Sequence, residues 1–225
     1  VDTLAISERD TVLPVVPMFH VNAWGLPHSA PMAGANLVMP GPDLSGPAIA
    51  ALIAEEDVTL AAGVPTIWNA VLPELAGRET PALRSIVCGG SAVPKALSEA
   101  YREQVGLPIT QAWGMTETSP IGTVGRVKST LCEQDDPGLA DVRSAAGLPV
   151  PLVDLRITEP TTGTELPWDG EARGELQIVG PWIASSYYDD ERSGDSFTDD
   201  GWLKTGDVAT IDPEGYVRLV DRTKD

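Results

Sequence analysis

The sequence is short of cysteine, histidine, aromatic rings and positive charge, and each shortage removes a class of function. Its two cysteines, Cys88 and Cys132, lie far apart. They offer neither a disulfide framework nor the spacing of metal ligands, and they fit a reducing cytoplasm. The two histidines, His20 and His28, have no triad partners in view, and no G-x-S-x-G sequence is present. Positive side chains number 15 against 33 acidic ones, a net charge of −18. Such a surface repels nucleic acid and anionic membranes. A phosphate-bearing ligand therefore has to be held locally, by backbone amides, a metal ion or a few placed cations. No apolar run approaches the roughly 18 residues of a membrane span, the best being residues 47–54. The opening Val1-Asp2-Thr3-Leu4 lacks the basic-then-apolar pattern of a signal peptide.

What is present is globular: 42% hydrophobic and 21% charged residues over 225 positions, enough to bury a sizeable core. There is no internal repeat and no low-complexity tract. Before Gly147 the chain alternates strand-like and helix-like segments. Residues 13–16, 36–39, 59–62, 85–88 and 108–112 read as strands. Asp43 or Ser45 caps a helix with Pro47 in its first turn and Ile49, Leu52 and Ile53 on one face. Ile67, Trp68, Val71 and Leu72 mark a second helix, and Leu97, Tyr101 and Val105 a third over 93–105. That order predicts an α/β unit, a parallel sheet with flanking helices, over 1–148. After Gly147 the period falls to two over 152–158, 174–179, 208–211 and 216–220, between Gly-, Pro- and Asp-rich turns. This predicts a small antiparallel, distorted β-barrel over 149–222.

Ligands bind beyond the carboxyl ends of strands in an open parallel sheet, which singles out three loops, 17–24, 89–92 and 113–119. In Gln111-Ala112-Trp113-Gly114-Met115-Thr116-Glu117-Thr118 a strand runs into a glycine, where a flat ligand can approach the backbone beside a stacking ring. Thr116 suits a phosphate oxygen and Glu117 a Mg²⁺ ion. The competing reading is a helix start, with Thr116 as cap and Glu117 favoured by the dipole. Gly89-Gly90-Ser91-Ala92 is either the wall of an adenine pocket or an ordinary strand-to-helix turn. Asp207, after Lys204-Thr205-Gly206, is either a grip on two ribose hydroxyls or a turn aspartate. Phe19, His20 and Trp24 either shape an apolar tunnel or belong to the core. The acidic stretch 189–200 does not fit the spacing of an EF-hand and reads as a solvated loop.

Taken in order along the chain, these segments are far more specific than any one of them. PMFHVNAW, VCGGSAVP, QAWGMTETSP, GELQIVGPW and DGWLKTGDVATIDPEGYVRLVDRTKD resemble the adenylate-forming acyl-CoA synthetase family over essentially the whole chain. Fatty-acid and thioether-acid ligases look most similar. The resemblance implies two steps: a carboxylate attacks the α-phosphorus of ATP, and coenzyme A then takes the acyl group. It implies Mg²⁺ as cofactor, with ATP, the acid and coenzyme A as small-molecule partners; a homodimer is left open. The catalytic set it implies is Thr116, Glu117 and His20, with Glu117 holding Mg²⁺. Nucleotide contacts would come from Val21, Trp24, Gly90, Gln111, Ala112 and Trp113, and from Thr116, Asp207, Arg222 and Lys224. Phe19, His20, Trp24 and Gly114 would border the acyl pocket. Asp225 would be the hinge, 223–225, to a C-terminal domain. Trp113 stands where many relatives have tyrosine. The family's phosphate loop is expected before Val1 and its C-terminal domain after Asp225, so these 225 residues alone are not expected to turn over. Two other readings remain: an aryl- or amino-acid-activating relative, and a non-catalytic nucleotide-binding fragment.

Overall fold

The computed structural model describes residues 2–131, 138–191 and 193–222, which build two sheets. The larger has seven strands, β1 (Thr11–Pro14), β2 (Asn36–Leu37), β3 (Leu60–Gly63), β4 (Ser85–Cys88), β5 (Ile109–Gly114), β6 (Ile121–Val124) and β7 (Leu148–Pro149), in the order β2-β1-β3-β4-β5-β6-β7. The first five are parallel, as the alternation of strands and helices predicts. β6 and β7 are antiparallel to their neighbours, so the sheet is mixed. The link from β5 to β6 is too short for a crossover, and a short link returns the chain antiparallel.

Period-two alternation sends successive strand residues to opposite faces. Leu13, Ala61, Ile86 and Cys88 face one core, shared with Ile49, Ile53, Trp68 and Tyr101. Those residues come from α2 (Gly46–Glu55), α3 (Pro65–Leu75) and α4 (Lys95–Gln104). Val12, Leu60, Ala62 and Val87 face the other side, where α1 (Leu26–Ala33) supplies Leu26 and Ala30. Buried polar groups are paired: Trp68 Nε1 donates to the Val87 carbonyl at 3.1 Å, and the Tyr101 hydroxyl to the Trp68 carbonyl at 2.7 Å. Burial alone pushes the Cys88 thiol up to about 12. Cys132 lies outside the described residues.

At the start of the chain, Asp10 is only 4% exposed and gathers its surroundings. Arg84 Nε donates to its Oδ1 at 2.7 Å, the Thr59 hydroxyl to the same oxygen at 2.6 Å, and the Ser7 amide to Oδ2 at 2.8 Å. The Arg84 hydrogen bond, foremost, holds the Asp10 carboxyl far below the usual carboxylate range. The same guanidinium also donates to the Leu4 and Ala5 carbonyls.

The second sheet is antiparallel, in the order β11-β10-β9-β8, with β8 at Asp154–Thr158, β9 at Gly174–Val179, β10 at Leu203–Ile211 and β11 at Val217–Arg222. The expected barrel thus takes the form of a four-stranded sheet packed on the edge of the larger one. Its inner face, with Leu155, Ile157, Leu176, Ile178 and Ile211, meets Trp113 and Val124 in one core. The Val217 amide donates to the Gly147 carbonyl at 2.9 Å, stitching the two sheets together. Among the described residues no helix is long and apolar enough to cross a membrane.

Candidate functional site

The carboxyl ends of β3, β4 and β5 face the loops that carry the motifs. Between β1 and α1 the chain makes a left-handed turn: Val21, Asn22, Ala23 and Trp24 have φ of 42°, 52°, 48° and 55°. Each such L-residue costs roughly 1–2 kcal/mol, so the turn is held by its surroundings. Ala23 is fully buried, and the Trp24 ring lies against the turn after β4, where a Cβ on Gly89 would come within 3.3 Å of it. Strain of this kind gathers at functional sites. Gly90 closes that turn at φ 81°.

Gln111 is buried, and its side-chain oxygen accepts the Val93 amide at 3.1 Å, which ties the turn to β5. Beyond β5 the chain enters a short 3₁₀ turn, Thr116–Thr118. Thr118, not Thr116, does the capping: its hydroxyl accepts the Met115 amide at 2.9 Å. Thr116 is exposed, and its hydroxyl takes no part in that cap. Glu117 is half-buried, and its Oε1 accepts the Tyr187 hydroxyl at 2.6 Å. Tyr187 is itself held, its amide donating to Ser193 Oγ at 2.8 Å and its ring resting on Phe197.

Asp207 is delivered by a bulge. β10 pairs Lys204 with Gln177 and Val208 with Glu175, so it carries two more residues than β9 over that interval. Gly206 supplies the required φ of 76°. The Thr205 hydroxyl donates to the Leu176 carbonyl at 2.7 Å and accepts the Asp207 amide at 3.2 Å. The strand predicted at 208–211 therefore starts earlier, at Leu203, and Asp207 sits at the bulge inside it. Asp207 lies directly opposite Arg222 in the β10–β11 register. It also accepts a hydrogen bond from Trp113 Nε1, 2.9 Å from Oδ2. Lys224 and Asp225 lie outside the described residues.

Two cavities meet here. A polar groove of about 540 Å³ runs between Gly90, Ser91, Thr205, Asp207 and Leu219. An apolar pocket of about 80 Å³ opens beside it, walled by Val21, Trp24, Leu26, Ala62 and Val87. Gly90, Ala112, Trp113, Gly114 and Met115 line both. Phe19 and His20, expected at the acyl pocket, border neither cavity. Phe19 is 82% exposed, and the two rings pack on each other on the surface, 4.6 Å between centroids. Residues 17–20, ahead of the left-handed turn, are exposed, whereas Val21 and Trp24 within it line the apolar pocket. Sequence reading missed Tyr187, Thr205 and Thr118. Only the tyrosine pair ahead of the acidic stretch hinted at the first, and nothing at the other two.

Among the described residues no group of three His, Cys, Asp or Glu could hold a metal by itself. Glu117 fits Mg²⁺ in another way: Tyr187 engages one carboxylate oxygen, and Mg²⁺ commonly takes one or two carboxylates plus phosphate oxygens and water.

The family model for AMP-binding enzymes matches residues 1–188. The chain belongs to the AMP-binding enzyme family. This AMP-binding chain is 45% identical over its full length to a long-chain-fatty-acid–CoA ligase of Thermus thermophilus, covering 42% of that protein. It is 43% identical, again over its full length, to a medium-chain-fatty-acid–CoA ligase of Ectopseudomonas oleovorans, covering 41% of it. The structure of the Bacillus subtilis O-succinylbenzoate coenzyme A synthetase with ATP and a magnesium ion superposes with a TM-score of 0.83 at 28% identity, over 99% of this chain and 44% of that one. The chain thus spans about two fifths of the length of these relatives. The fold matches that of the synthetase, as the sequence resemblance implies.

Proposed function

We propose that the protein carrying this AMP-binding chain is an AMP-forming ligase that activates a fatty or other small apolar carboxylic acid and passes it to coenzyme A. The observation that carries this reading is the junction of the polar groove with the apolar pocket along Gly90 and residues 112–115. An acyl-adenylate has that division, a polar nucleotide joined to an apolar tail.

In this reading the adenine lies between the Gly89-Gly90 turn and Trp113, and Asp207 and Arg222 take the ribose hydroxyls. Thr116 meets the α-phosphate from its exposed position, and Val21 and Trp24 border the acyl chain. The carboxylate oxygen bonds to the α-phosphorus as the bond to pyrophosphate breaks. The coenzyme A sulfur then bonds to the acyl carbon as AMP leaves. Mg²⁺ held at Glu117 would neutralise charge on the phosphates. The chain's own residues orient the two reactants, the largest contribution this arrangement offers. His20 stands on the surface, and no step is assigned to it.

Similarity to fatty-acid ligases at 45% and 43% identity, and to a 3-methylmercaptopropionyl-CoA ligase of Ruegeria lacuscaerulensis at 42%, supports a small apolar acid without singling out one class. Among the described residues no acidic side chain lines the apolar pocket to meet an ammonium group, which disfavours an amino acid. The test is pyrophosphate release by the full-length protein with ATP and a panel of acids, followed by detection of the acyl-CoA. Release with straight-chain acids, weakened about tenfold or more in kcat/KM for ATP by Asp207→Ala, is expected. Release with amino acids instead, or indifference to Asp207→Ala, overturns the reading.

A further inference from the structure

We propose that Trp113 is a positioning residue that aims Asp207 at the ribose, so that the base and sugar halves of the nucleotide are read as one unit. The proposal rests on the nucleotide-site reading given above and adds a role for one indole N–H. Trp113 is 7% exposed and closes the seam between the two sheets. One edge of its ring lies over Gly122, where a Cβ would come within 2.6 Å of Cζ3, with Ile178 Cδ1 close by. The ring is thereby fixed in place, and its Nε1 donates to Asp207 Oδ2 at 2.9 Å.

Asp207 needs such a guide because of where it stands. The bulge that lifts it into the groove removes this stretch from pairing with β9, and Gly206 gives the backbone at that point its freest conformation. Thr205 holds the Asp207 amide, but the carboxylate is aimed by its own contacts. A charge-assisted bond from a ring that cannot turn sets one oxygen. Trp113 and Asp207 both line the groove in which the ribose would lie. Phenylalanine would keep an aromatic face for the base and lose this donor. The structure therefore separates two contributions of one side chain, stacking on the base and alignment of the acid.

Nucleotide binding by the full-length protein, with ATP and with 2′,3′-dideoxy-ATP, tells them apart. The variants are Trp113→Phe and replacement of the Trp113 indole by benzothiophene, which keeps the ring and exchanges the N–H for sulfur. With ATP both variants are expected to lose roughly tenfold in affinity beyond any loss seen with the dideoxy nucleotide, because the aligned acid has no hydroxyl to meet there. Equal losses with the two nucleotides, or none in the benzothiophene protein, overturn the positioning role. Asp207→Asn guards the underlying reading. If that variant binds ATP as the wild type does, the ribose site itself is wrong. If it weakens ATP alone while the Trp113 variants affect both nucleotides equally, only the positioning role falls.

Discussion

Tyr187 and Glu117, 70 residues apart in sequence, meet through a 2.6 Å hydrogen bond from the phenol to Oε1. The bond joins the loop after β9 to the 3₁₀ turn after β5, and the Ala184 amide strengthens the link by donating to the Glu117 carbonyl at 2.8 Å. The phenol thereby orients a carboxylate expected to hold a cation.

Tyr187→Phe removes that orientation and leaves the ring against Phe197. Partners of this kind are worth roughly 10–100-fold in metal affinity. In the full-length protein the Mg²⁺ concentration giving half-maximal rate is expected to rise about tenfold, at the lower end of that range, while the KM for the acid stays nearly constant. An unchanged Mg²⁺ dependence would show that Glu117 needs no help from Tyr187.

Asp10 and Arg84 set the acid limit of stability. The folded carboxyl titrates far below the usual range, chiefly through the Arg84 bond, so its contribution is present above about pH 4 and lost as pH falls towards the folded value. Arg84→Ala leaves a buried carboxylate with only Thr59 and Ser7, at an expected cost of about 2–3 kcal/mol in urea unfolding at pH 7. The deficit of Asp10→Asn relative to wild type should shrink steadily below about pH 4. A deficit that stays constant across that range would mean the charge on Asp10 contributes nothing.

Where local pattern and tertiary demand agree, the sequence is easy to read. β4 and β9 have the expected bounds, and Ser45 and Pro47 mark the start of α2. β6 escapes because Thr123 occupies a core position, its hydroxyl donating to the Ala146 carbonyl at 2.7 Å, so hydrophobic alternation breaks there. α1 escapes because Pro27 and Pro31 read as loop, although Pro27 falls in the first turn, where it is tolerated. The site follows the same division. Gly90, Trp113, Glu117 and Asp207 were visible as residue types at loop positions. That Trp113 touches Asp207, 94 residues away, depends on a strand register and a bulge that no local pattern encodes.

Cys88 is expected to be silent in the native protein. Burial raises its thiol to about 12, so almost no thiolate exists near pH 8. In a Cys132→Ser background, a thiol reagent should label Cys88 no faster than the protein unfolds. Labelling would then report the stability of the central sheet, because Cys88 ends β4. Rapid reaction in the absence of denaturant would mean that β4 is open to solvent.

Two glycines make opposite demands, and substituting each separates space from conformation. Gly77 has φ 75° with no atom of the described residues within 4 Å of an added Cβ, so Gly77→Ala meets only backbone strain, about 1 kcal/mol. Gly89 needs no left-handed backbone, yet an added Cβ would lie 2.9 Å from the Ala112 carbonyl oxygen and 3.3 Å from Trp24 Cη2. Ala112 belongs to β5, whose backbone cannot withdraw without disturbing the sheet, so Trp24 is the side that yields. Gly89→Ala should cost about 1–3 kcal/mol in thermal unfolding through overpacking. It should also raise the KM for the acid in the full-length protein, because the displaced Trp24 ring narrows the apolar pocket it walls. Gly77→Ala should leave that KM alone. If both variants lose similar stability and neither changes the KM, Trp24 is not a wall of the acid site.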